Sequence, residues 1–344
     1  MSAKMHSNVT IRYPLLDLLR WLLATYVFSF HAWGLRKGWD SQDVLSNILQ
    51  YGYLSVDVFF IISGLVISLS LSTSSNVFAL KRAKRLIPPL IASAIINACF
   101  GLYLLLKNGG STFETLSIAV KNILPITSEP SKLQNYVIWS IIVEAQFYIL
   151  VFIYLRLIQK FKALEYVRFM QGWLFMCYLN AYIPLGIVSK LLVLEFAPYF
   201  IFGSFLASKY LNPKEKISLI SWIALIPILY NTAYSRALLH EGPGNGQVGI
   251  LVLCLAICVI FLSTKQIKFP ERFNMFFKHL GESSYFAYLI FGYFGLGIID
   301  QFDMIFTTKV AFLATYLGCA VISIMYTMKI HKKLSDFLIP QRFL

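Results

Sequence analysis

Charge is scarce in this chain. Asp, Glu, Lys and Arg make up only 13% of its 344 residues, where a soluble domain of this size carries about a quarter. No long stretch is richer in charge, which excludes a large soluble domain. Acidic residues are the scarcest, 16 against 30 basic ones, so the formal charge is +14. Such a balance can serve nucleic acid, but no nucleic-acid module is visible and no such partner is expected. Paired cysteines are lacking as well. Cys99, Cys177, Cys254, Cys258 and Cys319 sit in apolar segments with no CxxC and no nearby His. This leaves free thiols acting as small hydrophobes, with no metal expected. Residues 1–12 lack the apolar core and small-residue cleavage site of a signal peptide, so the first span is expected to be retained.

What fills the chain is apolar: 58% hydrophobic and 16% aromatic residues, with a mean hydropathy of +0.68. A bilayer core of about 30 Å needs roughly 20 such residues per helix. The pattern predicts an all-α integral membrane protein, a single domain over residues 1–344. Its ten spans fall near 14–34, 53–72, 86–106, 137–155, 171–189, 191–208, 217–234, 247–264, 283–300 and 310–328. Pro184, Gly186 and Lys190 crowd the junction of the fifth and sixth spans, where a re-entrant pair is the alternative.

The cations orient this bundle. With the N-terminus in the cytoplasm, the inside loops hold Lys81 to Arg85, Arg156 to Arg168, Lys209 to Lys216, Lys265 to Lys278 and Lys329 to Arg342. They are richer in Lys and Arg than their outer neighbours, which is the positive-inside pattern. Both termini are expected in the cytoplasm, and the basic excess beside anionic headgroups. Arg20 alone is left within a span.

Ionisable groups in a spanning helix are expensive there and mark function. Arg20 and His31 are eleven residues apart, three turns plus about 20°, so they share one helix face roughly 16 Å apart. Asp17 falls on much the same side. By the predicted topology Arg20 lies about 9 Å in from the cytoplasmic edge, and His31 well into the outer third. Asp57, on the second span, lies about 6 Å below the outer surface, and Glu144, on the fourth, about 10 Å below it. His31, Asp57 and Glu144 are thus expected at similar depth. A neutral His can take a proton from a hydroxyl while a carboxylate fixes its tautomer; a polar network that merely staples helices is the alternative. On the cytoplasmic side, Lys81, Arg82, Lys84 and Arg85 lead into Leu86-Ile87-Pro88-Pro89. Four cations at a helix start suit a phosphate, though any cytoplasmic loop is basic.

Together these segments resemble the membrane acyltransferase-3 family. Leu16-Asp17-Leu18-Leu19-Arg20 followed by His31 resembles its "LDGLRG…H" opening, and Ser55 to Ile67 its "GVDLFFVLSGFLI". Phe78, Arg82, Arg85, Leu86 and Pro88 are similar to its "F…R..RI.P", Trp139 to Tyr148 to "WSLSVEEQFY", and Gly281 to Leu289 to "G..SYSLYL". Departures are Leu18 and Trp21 for two glycines, Ala145 for a second acid, and Phe291 for a His after "YL". No esterase-like domain is expected after the tenth span.

The resemblance implies transfer of an acyl group, usually acetyl, from cytoplasmic acyl-coenzyme A to a hydroxyl of an extracytoplasmic glycan or lipid-linked glycan. It places the chain in the cell inner membrane as a multi-pass protein among membrane lipid, and is compatible with a homo-oligomer. Arg82 and Arg85 would then hold the coenzyme A phosphates and Arg20 the pantetheine arm or thioester. His31 would be the base, or a transient acyl carrier, with Asp57 or Glu144 orienting it. A transporter or flippase of a glycan or acyl precursor is the reading from a different class.

Overall fold

Long runs of Leu, Ile, Val and Phe can satisfy their backbone in lipid only as helices or closed barrels. The computed structural model describes residues 13–37, 44–71, 74–108, 113, 135, 137–161, 165–211, 217–241, 269–303 and 308–339, with isolated residues between 250 and 267. Among these residues there is no strand. The helices are α1 (Pro14–Lys37), α2 (Val44–Leu49), α3 (Leu54–Leu69), α4 (Ser75–Asn108), α5 (Ile138–Phe161), α6 (Tyr166–Tyr182), α7 (Ile187–Leu191) and α8 (Ala197–Leu211). They continue with α9 (Leu219–Glu241), α10 (Glu271–Ile290), α11 (Leu296–Asp303), α12 (Thr308–Met325) and α13 (His331–Leu338). Among the described residues, five helical stretches are long and apolar enough to cross a membrane: 44–69, 75–107, 138–158, 271–302 and 309–338. The eighth expected span, 247–264, falls mostly outside the described residues, as does the N-terminal tail.

Three expected boundaries move. Helix α4 begins at Ser75 rather than near residue 86, so the basic run is helical and not a loop. Hydropathy and Pro88-Pro89 both suggest a start beyond the cations, since proline favours a first helical turn. Both prolines instead lie well inside α4, tolerable where neighbouring helices re-satisfy the freed backbone. Helix α9 runs on to Glu241, which takes Arg236 out of the outer loop and into a helix. At the fifth–sixth junction α6 stops at Tyr182, short α7 follows, and α8 starts at Ala197. The positive φ of Gly186 (55°) and of Val193 (54°) turns the chain on either side of α7.

Close approach fixes the frame. Helices α3 and α8 touch through two glycines: a Cβ on Gly64 would collide with the Phe200 carbonyl, and one on Gly203 with that of Ile61. Small residues let backbones meet where lipid offers no hydrophobic drive. Helices α1 and α10 meet in the same way, with a Cβ on Gly281 brought to 2.5 Å from Asp17. Aromatic stacks fill the rest: Phe147 lies 4.2 Å from Phe200, and Phe28 lies 4.6 Å from Phe291. Between α10 and α11 the segment Phe291–Gly295 is a π-helix with a break at Gly292. The Asn135 amide donates to the Leu289 carbonyl there at 2.7 Å.

Candidate active site

Four-residue spacing on α5 stacks Ser140, Glu144 and Tyr148 on one face. Each finds its own partner. Ser140 Oγ lies 2.8 Å from the Tyr288 hydroxyl. Glu144 accepts from Ser63 Oγ at 2.9 Å and from the Tyr148 hydroxyl, and stands 4.0 Å from Arg85. Tyr148 in turn lies under the Arg82 guanidinium, which is 5.6 Å from its ring and 5.4 Å from that of Phe78.

On α4, Lys81, Lys84 and Arg85 share a face by their i, i+3 and i+4 spacing. They line a cavity of about 480 Å³ with Asp17 and Arg20 of α1, Glu282 and Tyr285 of α10, and His331 and Lys332 of α13. Five cations meet two carboxylates on this wall, and Lys84 also pairs with Asp336 at 3.0 Å. The cavity is electropositive. A second, narrower cavity of about 40 Å³ lies beside it, lined by Val56, Phe59 and Phe60 of α3 and by Ser63, Glu144 and Tyr288. Arg20, Arg85 and Tyr285 line both. They form the waist at which a basic chamber gives way to a slender, mostly apolar passage. From Ser63 to Val56 that passage climbs about 10 Å along α3.

Arg20 pairs with Asp17 at 3.4 Å while lining both cavities. It does not close off into the core. The α1 face between Arg20 and His31 carries Ala24 and Val27, both buried, and α1 is unbroken between them, so the 16 Å separation stands. His31 itself is half-buried and stands edge-on to Phe30, ring centres 5.0 Å apart.

The two expected carboxylates part company. Glu144 is held at the level of Ser63, six residues or about 9 Å along α3 from Asp57, farther than the few ångströms expected of two carboxylates at similar depth. Depth was counted from estimated span ends, and α5 and α3 are staggered against each other. Asp57 is fully buried and pairs with Arg236 of α9 at 3.4 Å, beside Tyr199. The Arg236 guanidinium lies against both Trp139 and Phe196, 5.4 and 5.5 Å from the ring centres, which are packed on each other at 5.4 Å. Neither carboxylate has His31 among the partners just named. Arg82 also departs from Arg85: it donates to Ser70 Oγ at 3.0 Å and lines neither cavity. Phe291, where the resemblance leads one to expect His, is core packing against Phe28.

Tyr285 and Arg236 carry weight that the sequence reading missed. The Tyr285 hydroxyl is buried at the waist without a hydrogen-bond partner; its signal was the Gly281-x-x-Ser284-Tyr285 block itself. Arg236 was hidden by an apolar window ending two residues before it. Among the described residues no group of three His, Cys, Asp or Glu could hold a metal.

Apolar helices long enough to cross a membrane, packed around an electropositive chamber, define a helical membrane protein with a polar internal site. The particular family follows from comparison: a family model described as an acyltransferase domain, that of the acyltransferase-3 family, matches residues 13–328. The chain belongs to that family and is a membrane acyltransferase, with an acyl donor and an acceptor as its substrates. This favours chemistry over transport. No curated protein and no solved structure matches it.

Proposed function

We propose that the protein moves an acyl group, most simply acetyl, from acyl-coenzyme A to a hydroxyl of a glycan on the far side of the cell inner membrane. The observation that carries this reading is the shared wall of Arg20, Arg85 and Tyr285 between a basic chamber and a slender passage. Coenzyme A is a nucleotide phosphate on a thin, extended, largely uncharged arm. Its phosphates suit Lys81, Lys84, Arg85 and Lys332, and its arm suits the passage. In this reading the basic end is cytoplasmic, ten spans cross the membrane, and both termini lie inside.

Arg20 and Tyr285 steady the arm at the waist, with Arg85 held in place by Glu144. His31, about 16 Å farther along the same face of α1, takes the proton of the acceptor hydroxyl. The acceptor oxygen bonds to the acyl carbon, the carbon–sulfur bond breaks, and the imidazolium returns the proton to the departing thiolate. Asp57 acts through Arg236 as a positioning residue. Arg82 braces α4 against α3 and α5 and is no longer assigned to the donor.

The test is purified protein in sealed vesicles, given acetyl-coenzyme A on one side and de-acetylated surface glycan on the other. Free coenzyme A thiol should appear on the donor side and an ester on the glycan, in equal amounts. Glycan crossing the membrane unmodified, or no thiol release, would overturn the reading.

A further inference from the structure

A third cavity, of about 150 Å³, lies away from the waist, between the last turns of α6, the α7–α8 connection and the C-terminal half of α9. Its wall is polar in a way lipid does not require. Asn231, Thr232, Ser235 and Arg236 stand on one side of α9, the last three one, four and five residues beyond the first, a patch about one and a half turns long. Asn180 of α6 and Glu195 before α8 face them across the space. The Asn180 carbonyl oxygen is engaged by the Leu185 backbone N–H at 3.2 Å, so its amide N–H groups are left to donate. Arg236 forms the floor, 9% exposed, and is anchored from behind by fully buried Asp57. Asn231, Ser235 and Glu195 are exposed and Thr232 is half-buried, so this polar wall is open to a ligand entering from outside.

We propose that this cavity is a glycan subsite that seats one neutral sugar ring of the acceptor, apart from the ring being acylated. The proposal rests on the transfer reading above for its biological sense, but not for its test. Amides and hydroxyls each offer donors and acceptors, the match required by vicinal sugar hydroxyls. The guanidinium charge is already answered by Asp57, and Glu195 stands at the rim, so an anionic sugar gains nothing here and meets a like charge. The volume holds a single ring rather than a chain. The cavity lies at the same end as Asp57, the end that faces the acceptor in the proposed orientation.

The experiment uses the full chain in nanodiscs and saturation-transfer NMR with methyl glycosides, one panel neutral and one carrying a carboxylate. Neutral rings should give transfer signals, and carboxylate-bearing rings markedly weaker ones. Ser235→Trp, which fills the cavity, should abolish the neutral signal, while Ile226→Trp, on an exposed part of the same helix, controls for added bulk. In nanodiscs, Asn231→Ala should weaken binding of the neutral ring about tenfold, the value of one lost polar contact of roughly 1.4 kcal/mol, read by titrating the transfer signal. Loss of signal in both tryptophan variants is read through the Asn231→Ala arm, which adds no bulk. A neutral signal that survives Ser235→Trp, a preference for anionic rings, or unchanged binding in Asn231→Ala overturns the subsite. Failure of the transfer reading shows separately, as wild-type protein that binds sugar yet releases no coenzyme A thiol.

Discussion

Arg85 and Arg236 are both guanidinium groups carried inside helices opposite a carboxylate, yet they are set differently. Arg236 approaches Asp57 to 3.4 Å with a tenth of its side chain exposed, against two mutually packed aromatic rings. Arg85 stands 4.0 Å from Glu144 with about a third exposed, facing a chamber that also holds Arg20, Lys81 and Lys332. One charge is answered by its own protein. The other belongs to a surplus, and surplus charge over a cavity is a demand for a ligand. Burial without surplus builds the frame, and surplus without full burial makes a site.

Removing one partner of the closed pair gives the sharpest break in this comparison. Asp57→Ala leaves a buried guanidinium unanswered, a loss on the order of 3–5 kcal/mol. We expect poor yield in membranes and early thermal aggregation in detergent. Asp57→Leu combined with Arg236→Met should restore folding, because a well-packed apolar pair can replace a buried ionic one. If Asp57→Ala folds normally and loses only activity, the Asp57 end is a reacting site and the division drawn above collapses.

Next in size is His31→Ala. Loss of a general base typically lowers kcat by about a hundredfold or more, with insertion and donor KM intact. Retention of more than about a tenth of the wild-type rate in the glycan ester assay would remove His31 from the chemistry.

Much of this was legible in the chain. The helical class, the family blocks and the Arg20–His31 stripe follow from hydropathy and from a 100° step per residue, and α1 is a single straight element in which that arithmetic holds. What was not legible is where one helix stands against another. Asp57 and Glu144 lie on different helices, and their relative depth depends on stagger, which Gly64 and Gly203 fix by backbone contact. Nor could spacing separate Arg82 from Arg85. Both lie on α4 three residues apart, and the offset of about 60° around the axis sends one to Ser70 and Tyr148 and the other into the chamber. Arg236 escaped because a hydropathy window stops where polar residues begin, even when the helix continues.

At the open end, Arg85→Ala should raise the apparent KM for acetyl-coenzyme A roughly ten- to a hundredfold, the value of a charge-assisted contact of about 1.5–3 kcal/mol. The KM for glycan should move far less. Arg20→Lys keeps the charge but loses the planar fork, and a drop in rate of similar size is expected. An unchanged donor KM in both would mean that the chamber's surplus serves topology alone.

The smallest effect separates neighbours. Lys332 lines the chamber from α13, whereas Arg82, on the same helix as Arg85, lines neither cavity. An exposed cation acting at a distance contributes about 0.3–1 kcal/mol and is screened by salt. Lys332→Ala should therefore raise the donor KM only a few-fold at low salt, with the difference fading as ionic strength rises. Arg82→Ala removes a hydrogen bond and two ring contacts, worth about 0.5–2 kcal/mol of stability, and should leave the donor KM within about twofold of wild type, the scatter expected of a contact worth a few tenths of a kcal/mol. Measured side by side, the two variants ask whether a cation matters because of its sign or because of the cavity it faces. Were Arg82→Ala to cost the donor more than Lys332→Ala, phosphate would be reaching the α3–α5 side of α4, and the chamber would not be where the donor binds.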